Sequence, residues 1–177
     1  MEQVSPLLII FGGLPGTGKT SIARELARQM RAVYLRIDSI EQAIRESGRA
    51  IEPLNDAGYR VAYAMAEDNL RAGHIVITDC VNPWALTRNA YLDIAKRVQV
   101  PAVEVEIVCS DVLEHRHRVE NRVPDIAGFE LPRWEDVVSR DYHPWENEHI
   151  VLDTAGQSVQ ESVRMLRASV EDWCRDH

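Results

Sequence analysis

The chain has 177 residues, with 20 Lys+Arg against 28 Asp+Glu, a net charge of −8, 45% hydrophobic residues and 6% aromatic ones. That is the make-up of one ordinary globular domain, long enough to bury a core without disulfides or a structural metal. The acid excess argues against a dedicated nucleic-acid binder. No apolar run nears the roughly 18 residues of a membrane span, and the N-terminus lacks the basic, apolar, small-residue order of a secretory leader, so a cytoplasmic protein is expected.

In chain order, Leu7 to Phe11 is a continuous apolar run, suited to a strand buried on both faces of a parallel sheet. Directly after it, Gly12 to Ser21 contains G-x-x-x-x-G-K-T, with Gly13, Gly18, Lys19 and Thr20 at the fixed positions. Such a loop curls so that successive N–H groups point at phosphate oxygens, and the next helix adds the positive end of its dipole. Pro15, Gly16, Thr17, Gly18 and Ser21 are therefore expected against a nucleotide's phosphates. Lys19 would reach the β- and γ-phosphates, and the Thr20 hydroxyl would ligate Mg2+. Residues 22, 23, 26, 27 and 30 then give helical apolar spacing over Ser21 to Met30.

Strand and helix alternate from there on. Val33–Ile37 is predicted as a strand, Ser39–Glu46 as a short helix, and Asp56–Arg71 as a longer one with Val61, Ala64, Met65 and Ala66 turned to the core. His74–Thr78 is the third strand, Ala85–Val98 a helix, and Val103–Val108 a fourth strand whose alternation marks a less buried place. Asp111–Arg122 is helical with Asp111 as its cap, Val123–Arg133 is a Pro/Gly loop, and Trp134–Tyr142 is a short helix. His149–Leu152 is the fifth strand and Gln157–Cys174 the last helix, with Val159, Val163, Leu166 and Val170 on one face. The whole reads as an α/β domain spanning residues 1–177, a five-stranded, mostly parallel sheet sandwiched by helices. Cys80, Cys109 and Cys174 form no C-x-x-C pair and read as small buried hydrophobes.

Ligands bind at the carboxyl ends of such strands, where Asp38, Asp79, Asp111 and Asp153 stand. Asp38 is either the base that accepts an attacking hydroxyl's proton or the cap of the helix after it. Asp79 either orients Mg2+ and its waters or starts the turn before Asn82-Pro83. Arg118 and Arg122, one helical turn apart, either close over a transferring phosphate as a lid, with Arg116 a weaker third, or form a solvated charged face. His115 and His117, two residues apart, share no helix face and make a poor metal pair. Asp141 to Glu146 either borders a pocket or simply packs Trp134 and Trp145.

Lysine occurs only at 19 and 96, so no Asn-Lys-x-Asp guanine-specificity element exists, and Asp79 is followed by Cys-Val-Asn rather than a D-x-x-G switch. With Gly13 to Thr20, Asp38, the Ile-Val-Ile-Thr-Asp79 segment, the arginine helix 116–122 and Leu152-Asp153-Thr154, the chain resembles compact P-loop kinases. The group holds zeta toxins, chloramphenicol phosphotransferase, gluconate kinases and the kinase domain of polynucleotide kinase, and includes relatives labelled AAA-family ATPase or adenylyl-sulfate kinase. The resemblance implies a P-loop NTPase fold with a short lid over about residues 111–134. It further implies ATP and Mg2+ as cofactors, Asp38 as general base, and Arg118 or Arg122 on the phosphates. The expected partner is a small-molecule hydroxyl acceptor, with the protein a monomer or homodimer. A polynucleotide 5′-hydroxyl kinase and a nucleotide-binding regulator or slow ATPase without acceptor remain as alternatives. Residues 1–36 sum to +3 and the rest to −11, so the acidity lies outside the phosphate loop.

Overall fold

The computed structural model describes residues 5–48 and 53–176. Strand β1 (Leu7–Gly12) is buried along its whole length, as its uninterrupted apolar run requires. It lies at the centre of a five-stranded sheet of order β2-β3-β1-β4-β5, with β2 at Val33–Arg36, β3 at Ile75–Asp79, β4 at Ala102–Val108 and β5 at Ile150–Asp153. Every pairing is parallel, Ile9 for example lying beside both Ile77 and Val103. From β1 the chain builds one half of the sheet, then crosses to build the other. The loops at the carboxyl ends of β1 and β3 thus open a crevice between them.

The period-two alternation of β1 divides its side chains between two cores. Leu7, Ile9 and Phe11 pack with Ile22, Leu26, Val163 and Leu166 from α1 (Lys19–Met30) and α7 (Val159–Asp176). Leu8 and Ile10 pack on the other face with Ala62, Ala66, Leu70, Tyr91 and Ile94 from α3 (Ala57–Arg71) and α4 (Ala85–Val98). Burying each large aliphatic side chain contributes about 1.5–3 kcal/mol, and these two layers hold the sheet rigid under the loops at its carboxyl edge.

Several expectations change, among them the short helix expected over Trp134–Tyr142, which ends at Val138. On α3 the buried stripe is Gly58, Ala62, Ala66 and Leu70, while Val61 and Met65 are 40% and 41% exposed and Ala64 also faces outward. Small residues let α3 lie close to α2 (Ile37–Glu46) and α4, and hydrophobicity alone does not reveal that preference. Cys174 is exposed, whereas Cys80 and Cys109 are buried. Glu104 and Glu106 of β4 do not face solvent: the segment before β5 straps over them. Asn147 donates to Glu104 at 3.0 Å, Tyr142 donates to Glu106 at 2.9 Å, and His149 Nε2 lies 3.5 Å from Glu106. The aromatic stretch is this strap. Trp145 donates to the Tyr142 hydroxyl, stacks on His149 and receives the Arg88 guanidinium 4.6 Å from its ring centre.

Burial pushes the Glu104 carboxyl above its ordinary range, and its Oε1 has no partner among the described residues. A carboxyl raised by folding favours the protonated form, so its unfavourable contribution is absent in acid and appears as pH rises through the folded value. Glu104→Gln is therefore expected to raise Tm at pH 7 by about 2 °C, on the order of 1 kcal/mol. The gain should disappear by about pH 4, near the unfolded carboxyl value, when melting is followed by circular dichroism.

Candidate active site

The loop from Gly13 to Gly18 leaves β1 and enters α1 at Lys19. Gly13 has φ 131°, and a Cβ there would lie 2.2 Å from the Ile107 carbonyl oxygen, so only glycine fits against β4. Gly16 has φ 85°, and a Cβ would meet Val119 Cγ2 at 2.4 Å, which lets the helix above close onto the loop. From below, the loop after β3 stitches it down: Gly13 N–H donates to Val81 O at 3.0 Å and Asn82 Nδ2 to Phe11 O at 2.7 Å. Lys19 is 7% exposed and Nζ donates to Leu14 O at 2.7 Å. Burial lowers its pKa to about 8, against the opposing pull of Asp79 and Asp38. Thr17 Oγ1 donates to the same Leu14 carbonyl at 2.9 Å.

Asp79 ends β3 and is 3% exposed; the Tyr34 hydroxyl, itself pushed up by burial and by Asp79, donates to its Oδ2 at 2.6 Å. Asp38 is not a helix cap. It sits in the first turn of α2, whose N-cap is Arg36, and Asp38 makes no capping bond there. The Ile37 backbone is already helical, which swings the Asp38 carboxylate over the carboxyl edge of the sheet. Burial, and then the charge of Asp79, raise its pKa, while Arg36, Lys19 and Arg122 pull the other way. Asp111, in contrast, is the cap expected of it, accepting from the N–H groups of Leu113 and Glu114. Asp153 holds the turn after β5, accepting from Ser110 N and Ala155 N at 3.0 Å each.

Helix α5 (Val112–Glu120) lies over the loop. His115 Nε2 donates to Pro15 O at 2.8 Å, and its ring stands edge-on to Trp134 at the start of α6 (Trp134–Val138), so this histidine ties α5 to the loop. Arg118 donates to Thr154 Oγ1 at 2.8 Å and Thr154 O at 2.9 Å, and Thr154 Oγ1 in turn lies 2.9 Å from Thr17 O. Arg116 points elsewhere, pairing with Glu120 at 2.7 Å on the surface and lining neither cavity below. Arg122 falls just past the helix end, with Nη2 3.9 Å from Asp125.

Two cavities open on this edge. One, of about 550 Å3, is lined by Gly16, Gly18, Lys19, Thr20 and Ser21 together with Arg118, Arg122 and Thr154. The other, of about 750 Å3, is lined by Pro15, Asp38, Tyr59, Asp79 and Phe129 among others. Lys19, Thr20 and Arg122 line both. Of the residues singled out in the sequence, Gly13 and Thr17 shape the loop without lining either cavity. Tyr142 and Trp145 line neither, being occupied in the strap.

Residues 8–134 match the AAA_33 family, described as an AAA domain. The chain belongs to this family. It is 26% identical over 178 residues to a Pseudomonas aeruginosa protein named as a probable adenylyl-sulfate kinase, covering 93% of this chain and 78% of that protein. In three dimensions it is similar to the Mycobacterium tuberculosis APS kinase CysC bound to AMPPNP and APS, with TM-score 0.70, 17% identity, and 94% and 98% of the two chains covered. A Sinorhizobium meliloti gluconokinase superposes over 100% of both chains with TM-score 0.63 and 18% identity. These likenesses show the P-loop kinase fold.

Arg36 and Asp125 were not singled out in the sequence. Arg36 is 5% exposed, and both of its terminal nitrogens donate to Asp125, at 2.7 and 3.0 Å. The signal available was period two: Tyr34 and Arg36 share a strand face, the face on which Asp79 lies. Asp125 sits in an irregular loop whose fold no local pattern specifies. The placement of the arginines predicts unequal effects. Arg118→Ala is expected to weaken nucleotide binding about tenfold, as loss of a charged hydrogen-bonding group would. Arg116→Ala, which removes only a surface pair, should stay within about twofold. Titration with a fluorescent ATP analogue reads both.

Proposed function

We propose that this protein is an ATP-dependent phosphotransferase that moves the γ-phosphate to a hydroxyl group of a small molecule. The observation that carries the reading is the meeting of two cavities at Lys19, Thr20 and Arg122, with Asp38 on the wall of the second alone. A nucleotide with its phosphates on Gly16 to Ser21 would extend into the first cavity. An acceptor in the second would present its hydroxyl between Asp38 and the γ-phosphate. The acceptor oxygen bonds to phosphorus as the bond to the β-phosphate oxygen breaks; the hydroxyl proton passes to Asp38 and ADP leaves. The raised pKa of Asp38 makes its carboxylate a stronger base for that proton.

Lys19 and Arg122 meet the charge that builds on the transferring group, and Arg118 holds the nucleotide side. The Thr20 hydroxyl and the Asp79 carboxylate are hard oxygen donors, the kind Mg2+ takes, and both line the second cavity. Bound with the nucleotide, Mg2+ would neutralise charge on the β- and γ-oxygens. Tyr34 would keep the Asp79 carboxylate oriented towards it.

The second cavity supports a small, polar acceptor. Asp38, Glu41, Asp79, Glu130 and Asp136 set five carboxylates on its wall against Lys19, Arg45, Arg122 and Arg140. A polyanionic strand would meet repulsion there, whereas a hydroxylated molecule finds donors and acceptors of both kinds. Phe129, Leu131 and Ile37 add apolar surface for its carbon skeleton.

The test is an acceptor screen with γ-labelled ATP across sugars, sugar acids, nucleosides, antibiotics and a 5′-hydroxyl oligonucleotide. Transfer to one small-molecule class is expected, with Lys19→Ala abolishing turnover and Asp38→Asn binding ATP but losing transfer by about a hundredfold or more. Transfer to the oligonucleotide alone, or equal transfer by Asp38→Asn and wild type, would sink the reading.

A further inference from the structure

The lid loop carries a carboxylate, Asp125, that draws three arginines: Arg36 from β2, Arg24 from α1, and Arg122, three residues before it and just past the end of α5. Both terminal nitrogens of Arg36, from β2, donate to its two oxygens at 2.7 and 3.0 Å. Arg24 of α1 donates to Oδ2 at 2.8 Å, and Arg122 approaches Oδ1 at 3.9 Å. The fork-on-fork contact with Arg36 sets orientation as well as distance, which a point charge such as lysine cannot do. Exposed ion pairs contribute little, but Arg36 is 5% exposed, and a buried guanidinium cannot lose its acceptor without a large cost.

Arg36 also faces the chemistry. Its Nη2 is 3.7 Å from Asp38 and its Nε 4.0 Å from Asp79, and Nε has no hydrogen-bond partner among the described residues. These two carboxylates are the acceptors Arg36 would turn to if Asp125 left. We propose that Asp125 and Arg36 are positioning residues for phosphoryl transfer. Their bidentate contact docks the lid loop onto the carboxyl end of β2 and so holds Arg122 where the two cavities meet. The inference rests on the phosphotransferase reading above.

With the clasp closed, the terminal nitrogens of Arg36 are committed to the lid, and Asp38 keeps only a 3.7 Å ion pair with Nη2, longer than a hydrogen bond, while it takes the acceptor's proton. With it open, Arg36 turns onto Asp38, Arg122 leaves with the lid, and water reaches the γ-phosphate. ATP bound on the loop is then hydrolysed: a water oxygen bonds to phosphorus, the bond to the β-phosphate breaks, and ADP and inorganic phosphate form without transfer. Lid docking and base readiness are thereby one event.

Asp125→Asn, Arg36→Lys and wild type would be compared by amide hydrogen exchange over residues 123–133, with and without AMPPNP and Mg2+, and by the ratio of ADP released to acceptor phosphorylated. In both variants the loop is expected to exchange faster with nucleotide bound, kcat for transfer to fall about a hundredfold with a smaller change in KM for ATP, and the ADP ratio to rise. Asp125→Asn alters only a lid-loop side chain and keeps the test available if Arg36→Lys folds poorly. Unchanged loop exchange in Asp125→Asn overturns the clasp. So does a fall in transfer matched by an equal fall in hydrolysis, the mark of a merely structural role. If wild type phosphorylates no acceptor, the phosphotransferase reading fails instead, and the exchange data still decide whether Asp125 and Arg36 dock the lid.

Discussion

Buried charge is the constraint on which the rest of the structure depends. Lys19, Arg36 and Asp79 are each less than a tenth exposed at the carboxyl edge of one sheet, and such groups persist only when they answer one another. Here the answering groups come from separate strands and loops. A parallel sheet does this naturally: its strand ends stand side by side, with Arg36 ending β2, Asp79 ending β3, and the loop after β1 bringing Lys19 to the same rim. The apolar layers on both faces then act as a foundation that stops these charges from drifting apart or taking up water.

How far this could be read from the chain depended on whether the signal was local. The strand of Leu7–Gly12 and the loop after it were legible because burial on two faces leaves an unbroken apolar run, and because the glycine and lysine spacing has one physical use. Helix α4 appeared over Ala85–Val98 as expected, bracketed by a proline before and a proline after. On α3 hydrophobicity points to Val61 and Met65, yet the buried stripe is Gly58, Ala62 and Ala66 with Leu70, since what a helix buries depends on how close its neighbours come.

The site was legible in its parts and not in its assembly. Asp38 was expected at a strand exit, but β2 passes directly into α2 with no loop between, and this removes the capping role and leaves the carboxylate over the rim. Arg118 and Arg122 both line the first cavity, but not through helical spacing, since α5 ends at Glu120 and Arg122 lies beyond it; Arg116 is turned to Glu120. Arg36 was hidden in a strand, where a lone arginine reads as a solvent-facing residue. Its partner Asp125 lies 89 residues further along, a separation that no local pattern spans.

The hydrogen bond from Lys19 to Leu14 O sets how the loop meets its ligand. The ammonium has three N–H donors, so with one committed to an internal carbonyl two remain for a ligand. That single bond to the backbone holds Nζ at the place where the two cavities meet, so the charge is aimed before a ligand arrives. Under the proposed reading, a polyphosphate would meet a cation already in position, and its charge would keep the lysine protonated where burial loosens its hold on the proton.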